Sequence, residues 1–187
     1  MNAEVRKWLG EDGVKFLHEI GVRENQAVLD FGSGEGHYTI PASKVVGANA
    51  KVYALDKDKG TLDKLKKTAE KNNIKNIELI KEDSNVPLEN NSLDAVLCYD
   101  VIHYENKKKR IAVYNEIHRV LRKDGFFSVY PKHHKEDHPL MELADINLES
   151  VVEEIEKAGF ILECKLLKTL LHDEYYNKGY ILNFRRC

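Results

Sequence analysis

The chain has 187 residues, of which 42% are hydrophobic and 32% are charged, and its formal net charge is −2 at pH 7. This composition is typical of a soluble globular protein, and a chain of this length buries about 70% of its unfolded surface in one domain. The small net charge gives no reason to expect a nucleic-acid partner. No apolar run approaches the roughly eighteen residues of a membrane span.

Three cysteines are spread along the chain, at Cys98, Cys164 and Cys187, without a C-x-x-C motif. This spacing favours free thiols over a disulfide framework or a zinc site. The first residues lack the apolar core of a signal peptide. We therefore expect a cytoplasmic protein without a bound metal.

Residues 1–26 are predicted to form a helical segment that can act as a lid, and strand-like and helix-like segments alternate from residue 27 to about residue 159. Apolar residues recur at helical spacing in three of the segments between strands, at Leu62, Leu65 and Ala69, at Ile111, Tyr114, Ile117 and Leu121, and at Leu148, Val151, Val152 and Ile155. Such alternation predicts a parallel sheet with helices on both faces. The predicted strands are Ala27–Phe31, Lys51–Leu55, Ile77–Ile80, Leu93–Tyr99 and Phe126–Tyr130.

The pattern changes after Gly159, where a glycine can end the last helix. Phe160–Thr169 and Gly179–Arg185 are both predicted strands, and no helix is predicted between them. They indicate an antiparallel hairpin at one edge of the sheet. Residues 27–187 are therefore predicted to form a single compact domain with the N-terminal segment.

The first predicted strand carries Asp30 next to its last residue and leads into three glycines at alternate positions, Gly32, Gly34 and Gly36. Glycines allow a sharp turn and a close approach of the backbone to a ligand. Asp56 ends the second strand, where a carboxylate can accept hydrogen bonds from ribose hydroxyls. The spacing is G-x-G-x-G, and His37 stands where the third glycine of a dinucleotide-binding G-x-G-x-x-G would be.

The pattern D-x-G-x-G-x-G resembles the first motif of class I S-adenosylmethionine-dependent methyltransferases. Four later segments carry the same resemblance in the same order, namely Tyr53–Asp58, Lys81–Ser84, Ser92–His103 and Glu116–Phe126. The resemblance implies an α/β fold with a doubly wound, mostly parallel seven-stranded sheet in the order 3-2-1-4-5-7-6, in which the last strand is antiparallel.

The resemblance also implies a cofactor site for S-adenosylmethionine. Asp30 would lie near the methionyl ammonium, Asp56 would accept from the ribose, and Asp83 with Ser84 would meet the adenine. Tyr99 would lie near the methionine portion, and Tyr38 would reach its carboxylate. The remaining cofactor-binding residues on this reading are Phe31, Gly32, Ser33, Gly34, Gly36 and Lys57.

The methyl acceptor is expected to be a small molecule, because no insertion is long enough to form a separate cap. His103, after the fourth strand, is a hypothetical catalytic base, and a structural histidine is the alternative. The loop with His133, His134 and His138 lines the acceptor pocket, holds a metal or is simply solvated, and its spacing matches no standard zinc pattern. The alternatives to a methyltransferase are an NAD-binding oxidoreductase and a non-catalytic S-adenosylmethionine-binding module. Sequence leaves both a monomer and a homodimer open.

Overall fold

A computed structural model describes residues 1–102, 105–132 and 146–187. Residues 1–83 and 169–177 form one compact unit, and residues 84–168 and 178–187 form a second. The helices are α1 (Ala3–Lys7), α2 (Gly13–Ile20), α3 (Thr39–Val46), α4 (Lys59–Lys71), α5 (Lys107–Val120) and α6 (Leu148–Glu156), with a π-helical turn at Trp8–Asp12. The strands are β1 (Val28–Phe31), β2 (Val52–Asp56), β3 (Ile77–Lys81), β4 (Leu93–Tyr99), β5 (Leu121–Tyr130), β6 (Phe160–His172) and β7 (Tyr175–Arg186).

The seven strands form one sheet in the order β3-β2-β1-β4-β5-β7-β6. β1 pairs with β2, β2 with β3 and β4 with β5 in parallel, whereas β5 and β7 are antiparallel. The predicted fold class and strand order are therefore confirmed.

In the first unit, the helices bury the faces that their apolar periodicity indicates. Leu62, Leu65 and Ala69 of α4 are all buried, as predicted. The side chain of Asp58 caps this helix by accepting from the backbone N–H groups of Gly60 and Thr61. The N-terminal segment is helical from residue 3 to residue 20, and its role as a lid stays a prediction.

In the second unit, the buried face of α5 differs from the predicted one. Ile111 is 39% exposed, so the prediction that it faces the core was wrong, and Leu121 belongs to β5 instead of the helix. The core side of α5 is lined by Arg110, Val113, Tyr114, Ile117 and Val120. The buried face of α5 therefore begins at Arg110, next to Ile111 in sequence, and continues through the residues that follow it at helical spacing.

The basic run Lys107–Arg110 begins α5, and a run of charges is usually a solvated helix face. The side chain of Arg110 is instead buried, and its Nε and Nη2 donate to the two carboxylate oxygens of Glu154 in α6 at 3.0 and 2.9 Å. The run thus contributes one residue to the packing of α5 on α6, and only its lysines remain available to solvent.

The C-terminal hairpin is longer than predicted. β6 continues beyond Thr169 to His172, and β7 already begins at Tyr175. The turn between them uses Asp173 at a φ of 53°, a left-handed conformation that aspartate tolerates better than most residues. Of the helices in the described ranges, none is both long and apolar enough to cross a bilayer.

Candidate cofactor site

The loop after β1 is held by the end of β2. The backbone N–H groups of Gly32 and Ser33 both donate to the carbonyl oxygen of Leu55, at 2.8 and 2.9 Å. The N–H of Gly36 then donates to the carbonyl of Ser33 at 2.9 Å, which closes the turn before α3. These backbone hydrogen bonds connect the glycine loop to β2 and shape the turn before α3.

The three glycines have positive φ angles, but Gly36 and Gly34 differ in their surroundings. A Cβ on Gly36 would lie 2.3 Å from Cδ1 of Leu65 in α4, so this glycine permits close packing. A Cβ on Gly34 would meet no other described atom within 4 Å. Gly34 consequently leaves space over the loop, on the side where a ligand could approach the backbone.

Asp56 connects β2 to the glycine loop. Its Oδ2 accepts from the backbone N–H of Gly34, and its Oδ1 accepts from that of Asp58, both at 2.8 Å. An ionised carboxylate has about four acceptor positions, so about two remain after these bonds. The predicted role of Asp56 as an acceptor from ribose hydroxyls stays a prediction.

Asp30 is a buried acid at the end of β1, with 2% of its surface exposed. Its Oδ2 accepts from the hydroxyl of Thr39, the first residue of α3, at 2.5 Å. Burial raises the pKa of Asp30 to about 7, the bond from Thr39 lowers it, and the charge of Asp56 raises it. A cationic group next to Asp30 would favour the ionised form.

Tyr38 and Trp8 support the loop from the N-terminal side. The Tyr38 hydroxyl donates to the carbonyl of Leu171 at 2.6 Å, and the indole Nε1 of Trp8 donates to the carbonyl of His37 at 2.8 Å. The two rings pack edge to face, with centroids 5.4 Å apart. The hydroxyl of Tyr38 thus has a partner within the protein. Its predicted contact with the cofactor stays a prediction.

The other predicted cofactor residues lie in several environments. Phe31 is buried, whereas Lys57 and Asp83 are exposed. In the second unit, Ser84 is half-buried, and the hydroxyl of the buried Tyr99 shares a 2.7 Å hydrogen bond with Ser128. Asp30, the glycines and Asp56 thus lie in one unit, and the cofactor-binding roles of all these residues stay predictions.

The predicted catalytic His103 lies outside the described residues. The same holds for the loop residues His133, His134 and His138.

Sequence reasoning missed the hydrogen-bond partners of two predicted residues, one in each unit. Thr39 stands nine positions after Asp30 and becomes its hydrogen-bond partner because α3 begins there. Ser128 lies in β5 and joins Tyr99 to Asn183, to whose Oδ1 it donates at 2.6 Å. A threonine at a helix start is a local signal that could have been found, whereas the contact across strands needed the register of the sheet.

The sequence matches a known family over residues 28–125, which is more than half of the chain, and this family is described as a methyltransferase domain. The chain therefore belongs to this family, the class I S-adenosylmethionine-dependent methyltransferases, and the predicted resemblance is confirmed. The cofactor of the family is S-adenosylmethionine.

Three similar proteins illustrate the relationship. Sterol 24-C-methyltransferase ERG6A of Gibberella zeae is 31% identical over 116 residues, which are 60% of this chain and 29% of that protein. A SAM-dependent methyltransferase from Aquifex aeolicus has a TM-score of 0.76 at 24% identity, covering 95% of this chain and 91% of its own. Magnesium protoporphyrin IX methyltransferase from Synechocystis PCC 6803, solved with bound SAM, has a TM-score of 0.69 at 15% identity, covering 100% and 86%. The matched region thus spans less than a third of the sterol enzyme.

Proposed function

We propose that this protein transfers a methyl group from S-adenosylmethionine to a small-molecule acceptor by in-line displacement. The observation that carries the proposal is the bond from Gly34 N–H to Asp56, which ties the glycine loop to the carboxylate ending β2. This arrangement leaves open acceptor positions on the carboxylate beside an open stretch of backbone. The family match favours S-adenosylmethionine over the dinucleotide alternative.

The residues present fit this cofactor. Asp56 has about two acceptor positions left for the ribose hydroxyls. Asp30 offers a buried carboxyl group for the methionyl ammonium, and Ser33 has a buried hydroxyl with no hydrogen-bond partner among the described residues. Asp83 with Ser84 would receive the adenine, as the resemblance implies.

The protein's contribution to the reaction is mainly alignment. When bound, S-adenosylmethionine supplies a methyl group on a positively charged sulfur, which is already a good leaving group. Holding nucleophile and methyl carbon in line can contribute about 7–11 kcal/mol. His103 would accept a proton only from an acceptor that must lose one, for a further factor of about 10²–10⁴.

The contacts of the basic run Lys107–Arg110 at the start of α5 support a small acceptor over a nucleic acid. Arg110 is committed to Glu154 inside the second unit, which removes one of the four cations that a nucleic acid could contact. The sterol and magnesium protoporphyrin enzymes, by their names, also act on small organic molecules. The acceptor atom is left to experiment.

Calorimetry with S-adenosylmethionine and S-adenosylhomocysteine tests the cofactor part of the proposal. Asp56→Asn should weaken binding by about 10- to 150-fold, because a hydrogen bond to a charged group contributes about 1.5–3 kcal/mol. Asp58→Asn is the matched control, since asparagine caps a helix as well as aspartate does and we expect no change in affinity. Equal affinity in Asp56→Asn and the wild type would refute the ribose role, and binding of NAD alone would refute the cofactor.

Transfer of a labelled methyl group to members of a metabolite panel tests turnover. Label in an acceptor product supports the enzyme. Tight cofactor binding with no labelled product from any panel member would favour the non-catalytic module.

A further inference from the structure

β6 is 13 residues long and forms one edge of the sheet, because it is the last strand in the strand order. A long edge strand offers a row of backbone N–H and C=O groups to another chain. From residue 161 to residue 169, exposed and half-buried residues alternate without interruption. Ile161 and Leu167 are 57% and 59% exposed, so the exposed face carries two large apolar side chains.

The residues of this strand form a pattern that is complementary to itself when the strand is reversed. The exposed face is apolar, acidic, basic and apolar in turn, with Ile161, Glu163, Lys165 and Leu167. The half-buried face has a leucine on each side of a cysteine, with Leu162, Cys164 and Leu166. In an antiparallel pair centred on Cys164, each of these residues would therefore lie opposite a suitable partner.

We propose that β6 is a dimer interface, at which a second copy of this chain pairs antiparallel with residues 160–168 about a two-fold axis at Cys164. Glu163 then lies opposite Lys165 of the second copy, and Ile161 lies opposite Leu167. By symmetry each of these pairs occurs twice. Directly opposite residues of an antiparallel pair are close enough for ion pairs and apolar contacts to stabilise it.

The charges select this register over its neighbours. A shift of two residues in the pairing in one direction would place Lys165 opposite Lys165, and a shift in the other direction would place Glu163 opposite Glu163. Like charges directly opposite each other destabilise a strand pair. A shift of one residue would instead set the exposed face of one copy against the half-buried face of the other.

The two charged side chains are already oriented along the exposed face. Glu163 accepts from Nε and Nη2 of Arg185 at 2.5 and 2.9 Å, and about two of its acceptor positions remain for a lysine. Nζ of Lys165 lies 4.4 Å from the centroid of the Tyr180 ring. Both partners are in β7, the strand that neighbours β6 in the sheet, so in the dimer Glu163 would be shared with Arg185 and Lys165 with the Tyr180 ring.

The first experiment measures mass and charge dependence. Light scattering across a concentration series should give a mass of twice 21.5 kDa at high protein concentration. Lys165→Glu should raise the dimer dissociation constant at least tenfold, and mixing it with Glu163→Lys should restore a mixed dimer. Lys157→Glu, an exposed lysine of the same unit outside β6, should leave the mass unchanged. A mass of 21.5 kDa at every soluble concentration, or a dimer that Lys165→Glu does not weaken, would overturn the proposal.

The second experiment uses the native cysteine at the centre. Opposite Cα atoms in an antiparallel pair are about 4.5–5.5 Å apart, within the range of about 4.4–6.8 Å that a disulfide allows. In a Cys187→Ser background, mild oxidation should link two copies through Cys164. Burial and the charge of Glu163 raise the pKa of the Cys164 thiol, so the oxidation is run at alkaline pH.

Further replacement of Cys164 by serine should abolish this link, and Lys165→Glu should slow its formation. A link that forms at the same rate in Lys165→Glu would indicate random collision and would contradict the interface. Glu163→Lys places a lysine next to Arg185, and this variant can fail to fold. The disulfide measurement tests the interface without it.

Discussion

Lowering the pH should weaken S-adenosylmethionine binding through Asp30. The pKa of this carboxyl group is about 7 in the ligand-free protein, because the group is buried. If only the ionised form attracts the methionyl ammonium, the dissociation constant scales as one plus the ratio of protonated to ionised Asp30. Between about pH 7.5 and about pH 5.5 the dissociation constant should therefore rise about 25-fold.

Calorimetry over this pH range measures the effect directly, and two variants assign it. Asp30→Asn should bind weakly with little dependence on pH, because no carboxyl group titrates at that position. Thr39→Val should move the midpoint to higher pH, because the hydroxyl of Thr39 holds the pKa of Asp30 down. An affinity that stays constant from about pH 5.5 to about pH 7.5, or a midpoint that Thr39→Val does not raise, would refute the reasoning.

The raised pKa of Asp30 also means that the stability of the protein should depend on pH. An unfolded chain releases the Asp30 proton near 3.8, whereas the folded protein holds it to about 7. The folded state therefore binds more protons in this window, and the contribution of Asp30 to stability falls as the pH rises through it. At pH 8 the cost is on the order of 4 kcal/mol, so Asp30→Asn should raise the unfolding free energy there while it weakens cofactor binding.

Two further predictions concern stability and are checked by chemical denaturation. Arg110→Ala should lower the free energy of unfolding by about 3–5 kcal/mol, because it leaves Glu154 buried and charged. Replacing both residues by leucine should recover most of this loss. An unchanged denaturation midpoint in Arg110→Ala would contradict the stabilising role of the buried pair. Gly36→Ala should cost at least about 1–3 kcal/mol, since its Cβ would overlap Leu65 and its φ is 89°. Gly34→Ala has only the φ penalty in the described surroundings, and an equal loss in both variants would count against the packing explanation.

Much of the fold was predictable because its signals are local. Each predicted strand overlaps an observed one, and the buried face of α4 follows from the spacing of three apolar residues. Strand order followed from family resemblance, because neither periodicity nor turn chemistry specifies which strands pair.

Other features were not predictable from local patterns. Ile111 has the hydropathy of a core residue and Arg110 does not, yet Arg110 is buried because Glu154 on another helix neutralises it. β5 begins at Leu121 because that residue pairs with Leu93, after which a register shift leads to the pair of Ala95 with Phe126. In both examples, a residue that is distant in the sequence determines which side chain is buried or where a strand begins.

The sequence by itself determined the family, the position of the glycine loop, and the acids Asp30 and Asp56 near the ends of the first two strands. These are properties of residue type and spacing, and a turn that needs positive φ selects glycine wherever it occurs. Only the tertiary structure decided that Asp30 titrates near neutral pH, that Asp56 holds the loop through Gly34, and that β6 presents a self-complementary edge. Burial, hydrogen-bond geometry and strand neighbours depend on segments far apart in the chain, which no local pattern specifies.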